Sequence, residues 1–264
     1  MLKNLMKYDL QWIIGKVLSY YSVATFVLAL LARGTAALAD RSMFWFVVDR
    51  VFSSAFLACA IAILINALMR SLVCFRRTLY GDPSYLTHTL PIKRGTVFTA
   101  KVLAGVISLL FSIVVSFGSA ALLYLTQSGM REKLHDLLQA ENAKSLIVLL
   151  AAVLVLELLF MLLCAVFGLV LGHRRETHRI FFSVAFAVAI YVVLAGVILG
   201  IVYAVSLIDP QMHALFQQQL DPAQMMNTAT MLKELALCAA VYALMNLAVF
   251  FAAKRVFQKG VDVE

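Results

Sequence analysis

The residue with the clearest chemical potential is Glu157, which lies within the apolar run LVLELLF. An ionisable side chain inside a membrane segment is costly, and by default it indicates a functional site facing the protein interior or a water-filled path. The alternative is a neutral or paired glutamate that only stabilises helix packing. The residues around Glu157 favour neither interpretation over the other.

Three serines recur every four residues in another apolar stretch: Ser108, Ser112 and Ser116. Small hydroxyl residues at this spacing share one face of a helix, where they line a translocation path or allow another helix to approach closely. The spacing favours close packing, and both possibilities remain open. Two GxxxG patterns, Gly168–Gly172 and Gly196–Gly200, predict further tight helix contacts, within one chain or between two chains.

Sequence patterns typical of enzymes do not occur in this chain. It has no GxxxxGK[ST] phosphate loop, no HExxH and no GxSxG, so we expect no ATPase site and no catalytic residues of its own. In the segment HRRETHR (residues 173–179) two histidines lie beside a glutamate, but three arginines would repel a metal ion. The sequence therefore predicts neither a metal site nor a bound cofactor.

The elements that must position these residues are membrane helices. Of the 264 residues, 63% are hydrophobic and only 14% are charged, which excludes an ordinary soluble domain. A helix needs roughly 20 mostly apolar residues to cross the hydrocarbon core. Six stretches qualify and predict an all-α integral membrane protein with a single transmembrane domain, residues 1–264; the spans are about 17–38, 45–68, 102–126, 146–172, 180–207 and 235–253.

The distribution of basic residues predicts the orientation. Placing both termini in the cytoplasm puts 15 of the 22 Lys and Arg residues on the inner side, as the positive-inside rule requires. Residues 1–16 have amphipathic spacing and predict a helix lying on the inner membrane surface. Residues 207–234 contain Asp-Pro twice, at 209–210 and 221–222, and predict short extracellular helices before the last span.

The longest inner connection, residues 70–101, is also the most basic. Gly81-Asp82-Pro83 predicts a turn, and a short uncharged helix follows until Pro91. Such a helix could insert into a cleft of a partner protein, or it could rest on lipid. Composition alone does not decide between these two roles.

The stretch GDPSYLTHTLPIKR resembles the corresponding loop of bacterial ABC type-2 exporter permeases. In that family a similar Tyr-Leu-Thr-His-Thr-Leu-Pro run follows a Gly-Asp-Glu-Gly segment, where this chain has Asp82-Pro83-Ser84. The start of the chain, LMKYDLQ followed by Lys16 and a Tyr-Tyr pair, is also similar to the start of family members.

The resemblance implies a multi-pass permease subunit of the bacterial plasma membrane that works as a dimer with an identical or different permease chain. Two separate ATP-binding cassette subunits would dock on the cytoplasmic side, bind ATP and Mg²⁺, and drive the export of an amphiphilic substrate such as a peptide, a drug or a lipid-like molecule. The other expected partner is membrane lipid, with no role for nucleic acid. The ATPase-coupling residues implied by the resemblance are Tyr85, Leu86, Thr87, His88, Thr89, Leu90 and Pro91.

Two other functions are compatible with six spans. A proton-coupled secondary transporter would use Glu157 as its proton site, although such proteins usually show internal repeats and spans broken by Gly or Pro. None of the six predicted spans contains a proline. A membrane-embedded hydrolase would need several acidic groups or histidines at one depth, and Glu157 stands alone there.

Overall fold

The computed structural model describes residues 2–81, 94–124, 143–174, 178–208 and 228–259. These residues form helices, with no β-strand among them. Six of the helices are long and apolar enough to cross a membrane, which confirms the all-α, six-span prediction in its main feature. They are α1 (Leu2–Ala36), α2 (Met43–Tyr80), α3 (Arg94–Tyr124), α4 (Ala143–Gly172), α5 (Arg179–Ser206) and α6 (Thr228–Gln258).

Several helices continue beyond the predicted spans. Helix α2 runs twelve residues past the predicted end at 68, and α3 begins eight residues before 102, so much of residues 70–101 is helical. Apolar composition indicates where a helix can lie in hydrocarbon, whereas local backbone chemistry decides where the helix ends. Helix α2 ends at Gly81, whose N–H donates to the carbonyl oxygen of Arg77.

The helices gather into two compact units of three, α1 to α3 and α4 to α6. In the first unit α1 packs against both α2 and α3. Leu18 of α1 packs against Ile63 and Ala67 of α2, and all three side chains are buried. The interior of this unit is therefore largely apolar. A polar side chain that is buried there needs a hydrogen-bond or ionic partner, because an unpaired polar group is costly in such surroundings.

Helix α1 is interrupted at Gly15, where the backbone is not helical. This interruption lies beside the predicted boundary between the amphipathic residues 1–16 and the first span. Residues 2–14 therefore form a separate helical piece, which we call the N-terminal segment. That this segment lies on the inner membrane surface stays a prediction.

In the second unit α4 packs against both α5 and α6. The first GxxxG pattern explains the close approach of α4 to α5. A Cβ atom on Gly168 would lie 2.4 Å from the backbone nitrogen of Ala187, and one on Gly172 would lie within contact distance of Ser183. By contrast, a Cβ atom on Gly196 or Gly200 would meet nothing within 4 Å. The pattern on α4 thus serves packing within the unit.

Some predicted elements lie outside the described residues. These are the turn and short helix in the inner connection between α2 and α3, and most of the extracellular segment before α6. The final residues of that segment, from Thr228 onward, belong to α6.

Candidate functional sites

A buried ion pair joins α1 to α3 in the first unit. Lys101 Nζ lies 3.1 and 3.0 Å from the two carboxylate oxygens of Asp9, and both side chains are almost completely buried. Asp9 belongs to the N-terminal segment, and Lys101 lies two turns into α3. The Sγ atom of Cys74 on α2 lies 3.7 Å from Asp9 Oδ1, so all three helices contribute to this contact.

A second contact holds the N-terminal segment at its broken end. An Arg70 side-chain nitrogen on α2 donates a 2.6 Å hydrogen bond to the carbonyl oxygen of Trp12, and the guanidinium lies 5.1 Å from the centre of the Trp12 ring. The last carbonyls of a helical piece lack partners in their own helix. Arg70 therefore caps the segment just before Gly15.

We call these five residues the clamp: Asp9, Trp12, Arg70, Cys74 and Lys101. Apolar side chains surround its ion pair, since Ile13, Cys74 and Ala104 form one buried cluster that Met6 also contacts. A buried charge that loses its partner is strongly destabilising. Loss of either member of the ion pair would consequently loosen the N-terminal segment from α2 and α3.

The serine row lies beside this region, inside the first unit. Ser108 and Ser112 are fully buried, and Ser116 is nearly so. The Ser108 hydroxyl lies 3.0 Å from the Ser71 hydroxyl, and the Ser116 hydroxyl donates to the carbonyl oxygen of Ala60. These contacts bring α2 and α3 close together, as expected of a packing role. A role in a translocation path stays a prediction.

In the second unit, Glu157 receives hydrogen bonds from two tyrosines on two different helices. The Tyr191 hydroxyl on α5 donates to Glu157 Oε1 over 2.9 Å, and the Tyr242 hydroxyl on α6 donates to Oε2. Glu157 itself is half-buried near the middle of α4. One carboxylate therefore connects all three helices of the unit.

Asn246 lies one turn beyond Tyr242 on α6 and completes this arrangement. Its side-chain nitrogen donates to the carbonyl oxygen of Leu156, 3.0 Å away, and to that of Tyr242, 2.9 Å away. The interhelical hydrogen bond expected of an asparagine in a membrane helix is thus present. Its side-chain oxygen, Oδ1, is buried and has no hydrogen-bond partner among the residues that the structure describes. We call Glu157, Tyr191, Tyr242 and Asn246 the carboxylate site.

An aromatic cluster lies one turn from the carboxylate. Phe160 is fully buried, and its ring centre lies 5.8 Å from that of Tyr191 and 5.7 Å from that of Tyr242. The packing restricts both tyrosine rings. Their hydroxyl groups are consequently held in place beside Glu157.

The charge of Glu157 has no counterpart among the described residues. The one ion pair found in them is that of Asp9 and Lys101. The described part of the chain also contains no group of three His, Cys, Asp or Glu side chains that could hold a metal ion. His173, in the segment considered above for metal binding, instead contacts the carbonyl oxygen of Leu169 and the hydroxyl of Ser183.

The sequence analysis missed the clamp, although a signal for it existed. Asp9 lies three residues after Met6 and four before Ile13, so it is an acidic residue on the apolar face of its helical piece. Lys101 likewise lies between the buried residues Phe98 and Ala104. For Glu157 no comparable signal could identify the two tyrosines, because they are 34 and 85 residues away.

The seven residues implied in ATPase coupling, 85–91, lie outside the described residues. Comparisons with protein-family models, with curated proteins and with solved structures found no match. The six apolar helices make the chain a multi-pass membrane protein, and its function must be argued from its own residues.

Proposed function

We propose that this chain is the transmembrane permease subunit of an ATP-driven ABC exporter. The observation that carries the proposal is the run Tyr85–Pro91, which stands in the connection between α2 and α3 of a six-helix membrane protein. This run and its surroundings resemble the coupling loop of ABC type-2 exporter permeases. The chain would lie in a bacterial plasma membrane with both termini in the cytoplasm.

The clamp supports this proposal on mechanical grounds. A force applied to the connection between α2 and α3 can move these helices only if their ends are stiff. Arg70 and Cys74 lie in the last three turns of α2, and Lys101 lies in the first turns of α3, so the clamp joins the two helix ends that flank residues 82–93. A docked ATPase would then move the N-terminal segment, α2 and α3 together.

Separate ATP-binding cassette subunits, which bind ATP and Mg²⁺, would supply the energy, because this chain carries no phosphate-loop motif. The permease chain itself would have no catalytic residues and would pair with a second permease chain. Its substrate would be an amphiphile such as a peptide, a drug or a lipid-like molecule, moved outward.

Purification of the chain from its native host tests the proposal. We expect a protein with a phosphate loop to co-purify with the wild-type chain. Replacing Leu86 and Leu90 with Asp should remove that protein, because two charges would be forced into an apolar contact. The matched control replaces Leu207 and Ile208, two exposed residues at the end of α5, with Asp and should leave co-purification unchanged.

Two outcomes would reject the proposal. One is the absence of any phosphate-loop protein from the wild-type preparation. The other is a double Asp variant at 86 and 90 that retains its partner and full stimulation of ATP hydrolysis.

The second candidate function, a proton-coupled secondary transporter, is favoured by one observation: a carboxylate near the middle of an apolar helix, held by two hydroxyl groups on two other helices. Transport in vesicles separates the two candidates. Export that requires ATP and persists with a proton uncoupler supports the ABC exporter, whereas export that the uncoupler abolishes and that ATP does not drive supports the secondary transporter.

A further inference from the structure

The carboxylate site contains an acidic group without a basic partner and a buried acceptor without a donor, as far as the structure describes the chain. Glu157 has no cationic partner among the described residues, and Asn246 Oδ1 is buried without a hydrogen-bond donor. We propose that this site binds the protonated primary amine of a cationic amphiphile. The inference rests on the proposed export function and narrows its substrate class.

The first argument is electrostatic. A carboxylate in a membrane segment attracts a counter-charge strongly, because little water is present to screen it. In the first unit the chain supplies the counter-charge itself, as Lys101 supplies it to Asp9. In the second unit no described Lys, Arg or His pairs with Glu157, and a cationic ligand would supply the missing counter-charge.

The second argument concerns the hydrogen bonds that remain possible. Each carboxylate oxygen already accepts one hydrogen bond from a tyrosine. A carboxylate offers about four acceptor positions, so about two remain for a ligand. The two tyrosines therefore fix the orientation of the Glu157 carboxylate and leave some of its acceptor positions open to a ligand.

The third argument comes from Asn246. Its side-chain nitrogen donates to two backbone carbonyls, which uses both of its hydrogens and determines which atom of the amide is Oδ1. A buried acceptor without a donor is rare in folded proteins and calls for an explanation. An ammonium group brings three N–H donors, and Asn246 lies one turn from Tyr242, which donates to the Glu157 carboxylate.

The surroundings favour an organic ammonium group over a metal ion. Hard divalent cations require several oxygen ligands and usually more than one carboxylate, and the site has one. Aromatic faces attract ammonium groups, and Phe160, Tyr191 and Tyr242 form an aromatic cluster beside the carboxylate. The half-buried carboxylate thus lies in the apolar central part of α4, beside a cluster of rings.

Equilibrium binding of dodecylammonium to the purified chain in lipid nanodiscs tests the inference without any ATPase subunit. Nanodiscs without protein correct for partition into lipid. We expect saturable binding that weakens at least about tenfold in Glu157→Gln, because the variant loses the charge while keeping a similar shape. The matched control is Glu234→Gln, which removes the same charge from a half-buried residue of α6 and should bind as the wild type does.

Uncharged dodecanol provides a test that needs no variant. The wild-type chain should bind dodecylammonium at least about tenfold more tightly than dodecanol after correction for lipid partition. Dodecyltrimethylammonium, which has the charge but no N–H donors, should bind with intermediate affinity.

Equal binding of dodecanol and dodecylammonium would overturn the inference, even if Glu157→Gln failed to fold. Equal binding of dodecylammonium by the wild type and a folded Glu157→Gln variant would overturn it as well. Failure of the exporter proposal alone would give another result: the amine would bind at Glu157, but no phosphate-loop protein would co-purify with the chain. Conversely, co-purification without amine binding would leave the exporter proposal standing and reject this site.

Discussion

The two units of the molecule differ in whether the acidic side chain between their helices is paired with a basic one. In the first, Asp9 and Lys101 neutralise each other across α1 and α3, and Arg70 saturates a carbonyl at a helix break. In the second, Glu157 is held by two tyrosine hydroxyl groups and has no basic partner among the described residues. Each arrangement links all three helices of its unit, so the contrast lies in charge balance and not in connectivity.

This difference in charge pairing indicates a structural role for the clamp and a binding role for the carboxylate site. A paired charge has its interactions complete within the chain, and its removal mainly affects folding and the position of the helix that carries it. An acidic group without a basic partner in an apolar segment can still bind a cationic group from outside the chain with a favourable free energy. On this basis the clamp positions helices, and the carboxylate site binds a ligand.

The largest effect is expected from Lys101→Met. The variant leaves Asp9 buried without a cation, and the free energy of unfolding should fall by about 3–5 kcal/mol. Unfolding of the detergent-solubilised protein by increasing SDS measures this change. Lys16→Met is the matched control, because it removes an exposed lysine of α1, and it should leave stability unchanged.

The native Cys74 provides a second measurement on the same variant. Its thiol is buried beside Asp9, so alkylation should accelerate when the N-terminal segment loosens. Exchanging the charges, with Asp9→Lys and Lys101→Asp together, should restore part of the stability and slow alkylation again. If Lys101→Met is as stable as Lys16→Met, the clamp does not have the structural role assigned to it.

A smaller loss is expected from Gly168→Ala in the second unit. The new methyl group would overlap the backbone of Ala187 on α5, and stability should fall by about 1–3 kcal/mol. Gly196→Ala makes the same change where nothing lies within 4 Å and should cause no loss. The same SDS unfolding experiment compares the pair. Equal stability of the two variants would show that tight packing does not hold α4 to α5.

The smallest change in stability is expected from Glu157→Gln. The amide keeps the size of the side chain and can still hydrogen-bond to Tyr191 and Tyr242, so the free energy of unfolding should change by less than about 1 kcal/mol. A loss as large as that expected of Lys101→Met would make Glu157 a structural residue. The contrast between the two units would then disappear.

Much of the fold could be predicted from composition. Six apolar stretches gave six helices, because a helix that crosses a membrane needs a long apolar run and nothing more specific. The ends of α2 and α3 were harder to predict. Residues 70–80 and 94–101 are polar enough to lie outside hydrocarbon, yet they remain helical.

The candidate sites were less predictable than the helices. The chemical importance of Glu157 follows from its sequence context, but its partners depend on how α4, α5 and α6 rotate against one another. Asn246 bonds across helices, whereas the hydrogen bond of Asn66, another asparagine within a predicted span, goes to Ala62 in its own helix. Residue type alone does not distinguish these two cases, because rotation about the helix axis decides which partner is in reach.

The burial of the Asp9–Lys101 ion pair has a consequence for how the N-terminal segment responds to its surroundings. Dissolved ions weaken pairs on a protein surface, but they reach a desolvated pair such as Asp9 and Lys101 poorly. Attachment of residues 2–14 should therefore hold at salt concentrations that would loosen exposed contacts. When a cell gains or loses water and its internal salt concentration changes, residues 2–14 should therefore stay attached to α2 and α3.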